Sequence, residues 1–199
     1  MNLHGIVAPL VGAVNPLRPV TIRRSTGPGS PSVDGVYDPT FATPGAFTGS
    51  IDDDVLTVSA VASGSLAPGQ TISGAGVVSG TEIVEHLSGT AGGPGTYLLN
   101  RSQDDVASEA MTSAYVMLAQ VQPMTWRDLQ QTDGLNLSGT RRKIYLFGSV
   151  DSVNRVTSGG GDLITIATGG PNDGVWLVAQ VLEQFPDWVS AACTLQNEG

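Results

Sequence analysis

Three consecutive aspartates, Asp52, Asp53 and Asp54, come closest in residue type and spacing to a cation site. Carboxylate oxygens are ligands that calcium prefers, but an EF-hand loop needs alternating ligands, a central glycine and a terminal glutamate. The run lacks this pattern. We therefore predict an exposed acidic turn that binds no specific metal ion.

A glycine-rich segment, a lone cysteine and two histidines are further candidates for chemistry. Residues 89–95 read GTAGGPG, but no Lys-Ser or Lys-Thr pair follows and no helix is predicted there, so a flexible β-turn is favoured over a phosphate loop. Cys193 lies in an apolar run, which favours a buried small hydrophobic side chain over a nucleophile. His4 and His86 are isolated, so they indicate neither a base for the cysteine nor a zinc site.

The tryptophans and the carboxylates complete the search for a catalytic or ligand site. Trp126, Trp176 and Trp188 could form a ligand platform, but two of them lie in apolar strand patterns, which favours packing in a core or a subunit interface. Paired carboxylates are present, yet no two can be placed across a cleft as in a glycosidase. We therefore predict no catalytic residue, no cofactor and no enzyme activity.

Two basic clusters could contact a partner. One contains Arg141, Arg142 and Lys143, and the other contains Arg23 and Arg24. Successive strand residues point to opposite faces, so only part of a cluster can point one way. Each cluster is open to two interpretations. It could contact DNA or an acidic partner ring, or it could be the solvated start of a strand.

The composition favours a β-rich, acidic protein. The chain has 199 residues with Gly 26, Pro 12 and a formal net charge of −9. Short β-rich runs between Gly and Pro turns predict an all-β fold, and the charge argues against a protein whose main task is to grip phosphate backbones. No stretch approaches the roughly 20 apolar residues of a membrane helix. The N-terminus lacks the pattern of a signal peptide, so synthesis in the cytosol is expected.

Alternating and β-branched runs predict strands at both ends of the chain. These predicted strands cover residues 19–24, 115–122, 143–147, 162–168, 175–182 and 187–195. Residues 25–44 are predicted to form a long loop or hairpin with little regular structure, and residues 159–161 and 171–174 are predicted turns.

One short helix is predicted at residues 126–131. Thr125 is a good N-cap, and Asp128 lies near the positive end of the helix. The Asp133-Gly134 pair is expected to end it.

Residues 45–113 differ in character from the rest. Eight acidic residues and one base, Arg101, give this stretch a charge of −7 and leave −2 for the remainder. Its runs at 55–61, 70–72, 81–84, 96–99 and 106–111 predict a small antiparallel β domain, and the charge asymmetry indicates a separate module. We predict that residues 1–44 and 114–199 form one discontinuous β-barrel interrupted by this module, an insertion that loop-closure entropy tolerates.

Several motifs in the second half of the chain point to one family. QVQPMTWRDLQQTDGLNLSGTRRKIYLFG begins at residue 120, GDLI at residue 161 and VLEQFPDW at residue 181. With these motifs, the chain outside the module resembles the head-closure proteins of tailed bacteriophages, also called stoppers or head–tail joining proteins. The module resembles Gly/Thr-rich β domains of phage structural and tail proteins.

The resemblance implies a small antiparallel β-barrel with a long loop and a short helix. It also implies a homo-oligomeric neck ring, usually a hexamer, that meets the portal connector on one face and tail-terminator or tail proteins on the other. The protein would then be located in the virion neck after assembly in the host cytoplasm. Packaged DNA would pass through a mildly acidic lumen without sequence-specific binding. We expect the arm at 1–17 and the 25–44 loop to become ordered only in the assembled neck.

Three other functions are weighed against this one. A tail-terminator or baseplate-associated structural protein would share the β architecture. A host-glycan-binding adhesin would use the acidic module. An enzyme such as a glycosidase has the weakest support in the sequence.

Overall fold

The computed structural model describes residues 15–31, 37–135, 139–154 and 159–196. Within these ranges the protein is all-β with one short helix, which confirms the predicted fold class. The chain forms two compact units. The barrel contains the described residues up to Phe41 and from Met117 onward, and the module is Ala42–Val116.

Strands are numbered in chain order through the described residues. They are β1 Arg18–Arg23, β2 Ser25–Pro31, β3 Tyr37–Phe41, β4 Gly45–Ser63, β5 Thr71–Ser73, β6 Ile83–Gly89, β7 Gly95–Gln122, β8 Arg141–Leu146, β9 Val153–Asn154, β10 Gly159–Gly160, β11 Leu163–Ile166, β12 Gly174–Gln184 and β13 Val189–Gln196. Helix α1 is Trp126–Gln131, and a 3-10 turn, Asp133–Leu135, follows it.

Six strands close the barrel. Hydrogen-bonded neighbours follow the order β1, β11, β12, β13, β8 and β7, and β7 pairs back with β1. Ile22 lies opposite Ile164, and Ile164 lies opposite Trp176, in antiparallel register. The ladder thus closes on itself, as the predicted small antiparallel barrel requires.

Apolar side chains fill the barrel because alternate strand residues point inward. In β1, Val20 and Ile22 are buried between more exposed neighbours. Strand β13 is buried along Val189–Thr194 without alternation, so both of its faces are covered. The largest fully buried side chains of the barrel are Trp176, Ile144, Leu146, Ile164, Val178 and Val189.

The longest hairpin of the barrel joins β12 to β13. Its register runs from Val175 opposite Gln196 to Gln184 opposite Val189. A tight turn closes it, where the Phe185 N–H donates to the Trp188 carbonyl at 2.9 Å. The turn and the start of β12 therefore lie at opposite ends of the barrel.

Two regions are more regular than predicted. Strands β2 and β3 pair as an antiparallel hairpin, with Ser25 opposite Phe41. Of the loop and the hairpin predicted for residues 25–44, the hairpin is found at these strands, and ordering of the segment in the assembled neck stays a prediction. In the predicted turn at 159–161, Gly159 and Gly160 instead form β10, which pairs with β9. A Cβ on Gly160 would collide with Pro39, so this close approach needs glycine.

Helix α1 has its predicted bounds. Thr125 is the N-cap, and its hydroxyl accepts from the Asp128 N–H at 3.3 Å. The Asp128 carboxylate accepts in turn from the Thr125 N–H at 2.9 Å, which completes a capping box.

The module has its own core and its own ladder. Strand β4 pairs with β7 from Gly45 opposite Ser113 to Val58 opposite Gly95, and β5 and β6 also pair with β7. The buried core residues are Phe47, Ile51, Leu56, Val58, Leu66, Ile72, Ile83, Tyr97, Leu99, Val106 and Met111. All of them come from the module itself.

The acidic run lies at a bend within β4. Ser59 Oγ donates to the Thr48 carbonyl at 3.1 Å, although eleven extended residues would span roughly 36 Å. The strand therefore folds back on itself. Asp53 adopts a φ of 58°, and the ladder register shifts on both sides of it. The predicted exposed acidic turn is found as this bulged bend, where Asp52 and Asp53 are exposed.

Candidate assembly surfaces

The predicted basic cluster of Arg23 and Arg24 packs onto neighbouring segments of the barrel. The Arg24 guanidinium donates to Asp162 Oδ2 at 2.7 Å and to the Ser149 carbonyl at 2.8 Å. The Arg23 guanidinium lies over the Phe41 ring, 5.6 Å from its centroid. Arg23, at the end of β1, thus contacts β3, and Arg24, just after β1, contacts Asp162 and Ser149.

Asp162 is the centre of this network. It is 1% exposed, and its carboxylate accepts from Arg24, from the Ser25 N–H at 2.9 Å and from the Asp151 N–H at 3.0 Å. A carboxylate so deeply buried needs such donors. Sequence reasoning placed residue 162 only at the start of a strand. The available signal was a charged residue directly before an apolar run.

Lys143, in the cluster of residues 141–143, is buried in an ion pair. Its Nζ lies 3.2 Å from Asp128 Oδ1 and 3.6 Å from Glu183 Oε2. Burial alone would lower the pKa of Lys143, but Tyr145 and the two carboxylates outweigh this effect and raise it. Burial would raise the pKa of Asp128, but hydrogen bonds from Thr125 and the contact with Lys143 lower it. The ionic pair therefore fixes α1 to the barrel at neutral pH.

The two arginines before Lys143 are half-buried at one end of the barrel. Arg142 Nε donates to Asn172 Oδ1 at 3.5 Å, and its Nη1 donates to the Arg141 carbonyl at 3.0 Å. Asn172 belongs to the loop between β11 and β12. Of the five predicted contact residues, the structure thus places Arg142 beside that loop and Arg141 next to it at the start of β8. The other three have internal partners.

A cleft of about 220 Å³ opens at this same end, and we call it the mouth cleft. Its apolar wall consists of Val20, Ala119, Val121, Ile166 and Pro171. Its polar rim includes Asn15, Arg18, Thr168 and Asn172. Arg18 Nη1 donates to Thr168 Oγ1 at 2.8 Å, and Asn15 Nδ2 donates to the Val121 carbonyl at 2.6 Å.

The loop between β11 and β12 gives the mouth cleft a fixed shape. The Asp173 carboxylate accepts from the N–H groups of Thr168, Gly169 and Gly170 at 2.7–3.2 Å. The Thr168 N–H and the other donors lower the pKa of Asp173. Trp176 Nε1 donates to the Asn172 carbonyl at 2.9 Å. The cleft is therefore preformed.

An aromatic projection occupies the opposite end of β12. We call the turn of residues 185–188 the aromatic tip. Phe185 is 51% exposed and stacks on Trp188, with ring centroids 4.5 Å apart and an interplanar angle of 17°. Trp188 also packs near Tyr145, 5.9 Å between centroids. The stacked rings give the tip a rigid apolar surface.

The three tryptophans occupy three different environments. Trp176 is 2% exposed, which confirms the predicted core packing. Trp188 is half-buried in the aromatic tip. Trp126, on α1, is 74% exposed. One tryptophan thus lies in the barrel core, one in the aromatic tip and one on the surface of α1.

The remaining candidates for chemistry are structural or lie outside the described residues. Cys193 is fully buried and burial raises the pKa of its thiol, which confirms the predicted small buried side chain. His86 packs against Tyr97, with ring centroids 5.0 Å apart. Residues 1–14, with His4 and most of the predicted arm, are not among the described residues. Within the described ranges, no three His, Cys, Asp or Glu side chains are grouped to hold a metal, and no helix is long and apolar enough to cross a membrane.

Comparison with protein-family models, with curated proteins and with solved structures found no match for this chain. The geometry itself distinguishes two unlike surfaces on the barrel. One is a concave mouth cleft beside arginines, and the other is a convex aromatic tip flanked by Glu183 and Asp187. Sequence reasoning identified the arginines at the mouth but missed Arg18 and Asn172. Their roles depend on loops that meet only in the folded barrel.

Proposed function

We propose that the protein is a virion structural protein of a tailed bacteriophage. In this proposal it is a subunit of the neck ring, located at the head–tail interface, that closes the DNA-filled head and joins it to the tail. Its partners are further copies of itself in a ring, expected to be a hexamer, the portal connector, and tail-terminator or tail proteins. It acts by assembly and not by catalysis.

The closed six-stranded barrel with a single capped helix carries the proposal. The motifs at 120–148, 161–164 and 181–188 resemble head-closure proteins, and that resemblance implies this architecture. The motif residues also have structural roles in the barrel. Lys143 pairs with Asp128, Asp162 binds the β2–β3 hairpin, and Phe185 forms the aromatic tip.

The exposed aromatic side chains support a role in protein assembly. Phe185 is 51% exposed and Trp126 is 74% exposed. Large aromatic side chains bring much of the binding energy at protein interfaces. Rigid elements hold both residues, since one lies in a closed hairpin turn and the other on a helix anchored by an ion pair.

A nonsense mutation in the gene tests the proposal in particles from an infected host. Electron microscopy is expected to show heads and separate tails that fail to join, with packaged DNA leaking from the heads. Joined particles should return when the wild-type chain is supplied in trans. Complete, DNA-filled, tailed virions without the protein would contradict the proposal.

The same preparation separates the competing functions. Joined particles with tails of abnormal length would favour a tail-terminator role. Normal particles that fail to attach to cells would favour a glycan-binding role for the module. Both outcomes differ from the unjoined heads and tails expected here.

A further inference from the structure

The aromatic tip has the form of a preorganised knob. Phe185 stands at the start of the turn of residues 185–188, which its own N–H closes onto the Trp188 carbonyl. The stack on Trp188 holds the ring in place while half of its surface stays exposed. A ring fixed in this way loses little conformational freedom when a partner covers it.

The mouth cleft has the size and lining for one aromatic ring. A cavity of about 150 Å³ lined by apolar side chains accepts benzene, and the mouth cleft measures about 220 Å³. Val20, Ala119 and Ile166 form a buried apolar floor. The volume thus accommodates a phenyl ring with room for part of its backbone.

The aromatic tip and the mouth cleft of one chain cannot contact each other. The eleven residues of β12 separate them, which corresponds to roughly 36 Å at about 3.3 Å per residue. Asn172 lies just before this strand and Phe185 just after it. The cleft can therefore receive the tip only from a second copy.

The charges around the two surfaces are complementary. Arg18 lines the mouth cleft and Arg142 donates to Asn172 on its rim, so with Asp173 the formal charge there is +1. Glu183 and Asp187 flank the tip and are both acidic. Opposite potentials favour docking of mouth to tip and disfavour mouth to mouth or tip to tip.

We propose that Phe185 of one copy inserts into the mouth cleft of the next copy. Arg18 and its neighbouring arginines then face Glu183 and Asp187 across the contact. Each copy offers one tip and one cleft, so the contact is heterologous and repeats from copy to copy. This inference deepens the proposed neck function and rests on it for the closure of the repeated contact into a ring.

Cross-linking between two differently labelled full-length chains tests the contact. One chain carries Gln184→Cys beside the tip, and the other carries Pro171→Cys at the mouth. The buried Cys193 does not compete for reagent. A short bis-maleimide is expected to give a mixed dimer from the two chains, and a ladder of multimers from one chain with both substitutions. A mixture that gives no dimer above the yield of either chain alone overturns the proposal.

Two sets of variants test which residues make the contact. Phe185→Ser in the tip chain should lower the cross-linked yield about tenfold or more, because buried aromatic anchors dominate such interfaces. Val84→Ser removes a similarly exposed apolar side chain in the module and should leave the yield unchanged. Asp187→Arg in the tip chain should lower the yield, and Arg18→Asp in the mouth chain should restore it. Unchanged yield with Phe185→Ser would overturn the proposal.

The two proposals fail in different ways. Unjoined heads and tails in the nonsense mutant, with no tip-to-mouth cross-link, would keep the neck function and exclude this interface. A specific cross-link with normal virions in the nonsense mutant would keep the interface and exclude the neck function.

Discussion

At the residue scale, Asp162 shows how one buried carboxylate joins segments that are distant in sequence. It accepts from Arg24 and Ser25, 138 and 137 positions away, and from the nearby Asp151. Removing the carboxylate would take this partner from the Ser25 and Asp151 N–H groups, while Arg24 would keep its bond to the Ser149 carbonyl. The cost of such orphaned groups exceeds the net value of the bonds themselves.

We expect Asp162→Ala to lower the free energy of unfolding by about 3 kcal/mol, since it breaks a buried charge pair and orphans two backbone donors. Denaturant titration followed by tryptophan fluorescence measures the change. Asp133→Ala, at an exposed aspartate after α1, is the matched control and should stay within about 0.5 kcal/mol of the wild type. Equal stability of the two variants would contradict this account of Asp162.

At the element scale, the sequence predicted what local chemistry determines. Thr125 and Asp128 are three residues apart, so the capping box and the bounds of α1 could be predicted from sequence. Strands β12 and β13 were predicted from the runs at 175–182 and 187–195. The predicted ends of these strands differ by only a few residues from the observed ones.

Elements that depend on distant partners were predicted less well. For the β2–β3 region the sequence left a long loop and a hairpin as alternatives, because the carboxylate of Asp162 that anchors it lies more than a hundred residues away. Strand β10 was predicted as a turn, since three successive glycines usually mark one. The mouth cleft was not predicted at all, since it forms where Asn15 and Asn172 meet at one end of the closed barrel.

Separate cores predict that the barrel folds without the module. The eleven buried core residues of the module lie between Phe47 and Met111, while the barrel core lies outside this range. We expect a chain with residues 45–113 replaced by a short Gly/Ser linker to keep a cooperative thermal transition and a β-type spectrum. Circular dichroism measures both. Loss of the cooperative transition would mean that the barrel depends on the module for its stability.

At the scale of the whole molecule, charge is distributed unevenly between the two units. Residues 45–113 carry −7, and the remainder carries −2. Among the bases of the barrel, Arg24 and Lys143 form ion pairs with carboxylates. These pairs reduce the positive charge that is available to neutralise phosphates, and the acidic module repels them.

We accordingly expect the full chain to show no measurable binding to duplex DNA at physiological salt. Non-specific affinity requires several Lys or Arg contacts that release counterions, and a net charge of −9 opposes them. Anisotropy of a labelled duplex, titrated with the protein over a range of salt concentrations, measures this. The chain lacking residues 45–113 is the control, since its charge of −2 repels phosphates less and should permit weak binding at low salt. Tight, salt-sensitive binding by the full chain would instead mean that Arg18, Arg141 and Arg142 follow a phosphate backbone, which would favour the DNA-contact interpretation of the basic cluster at the barrel mouth.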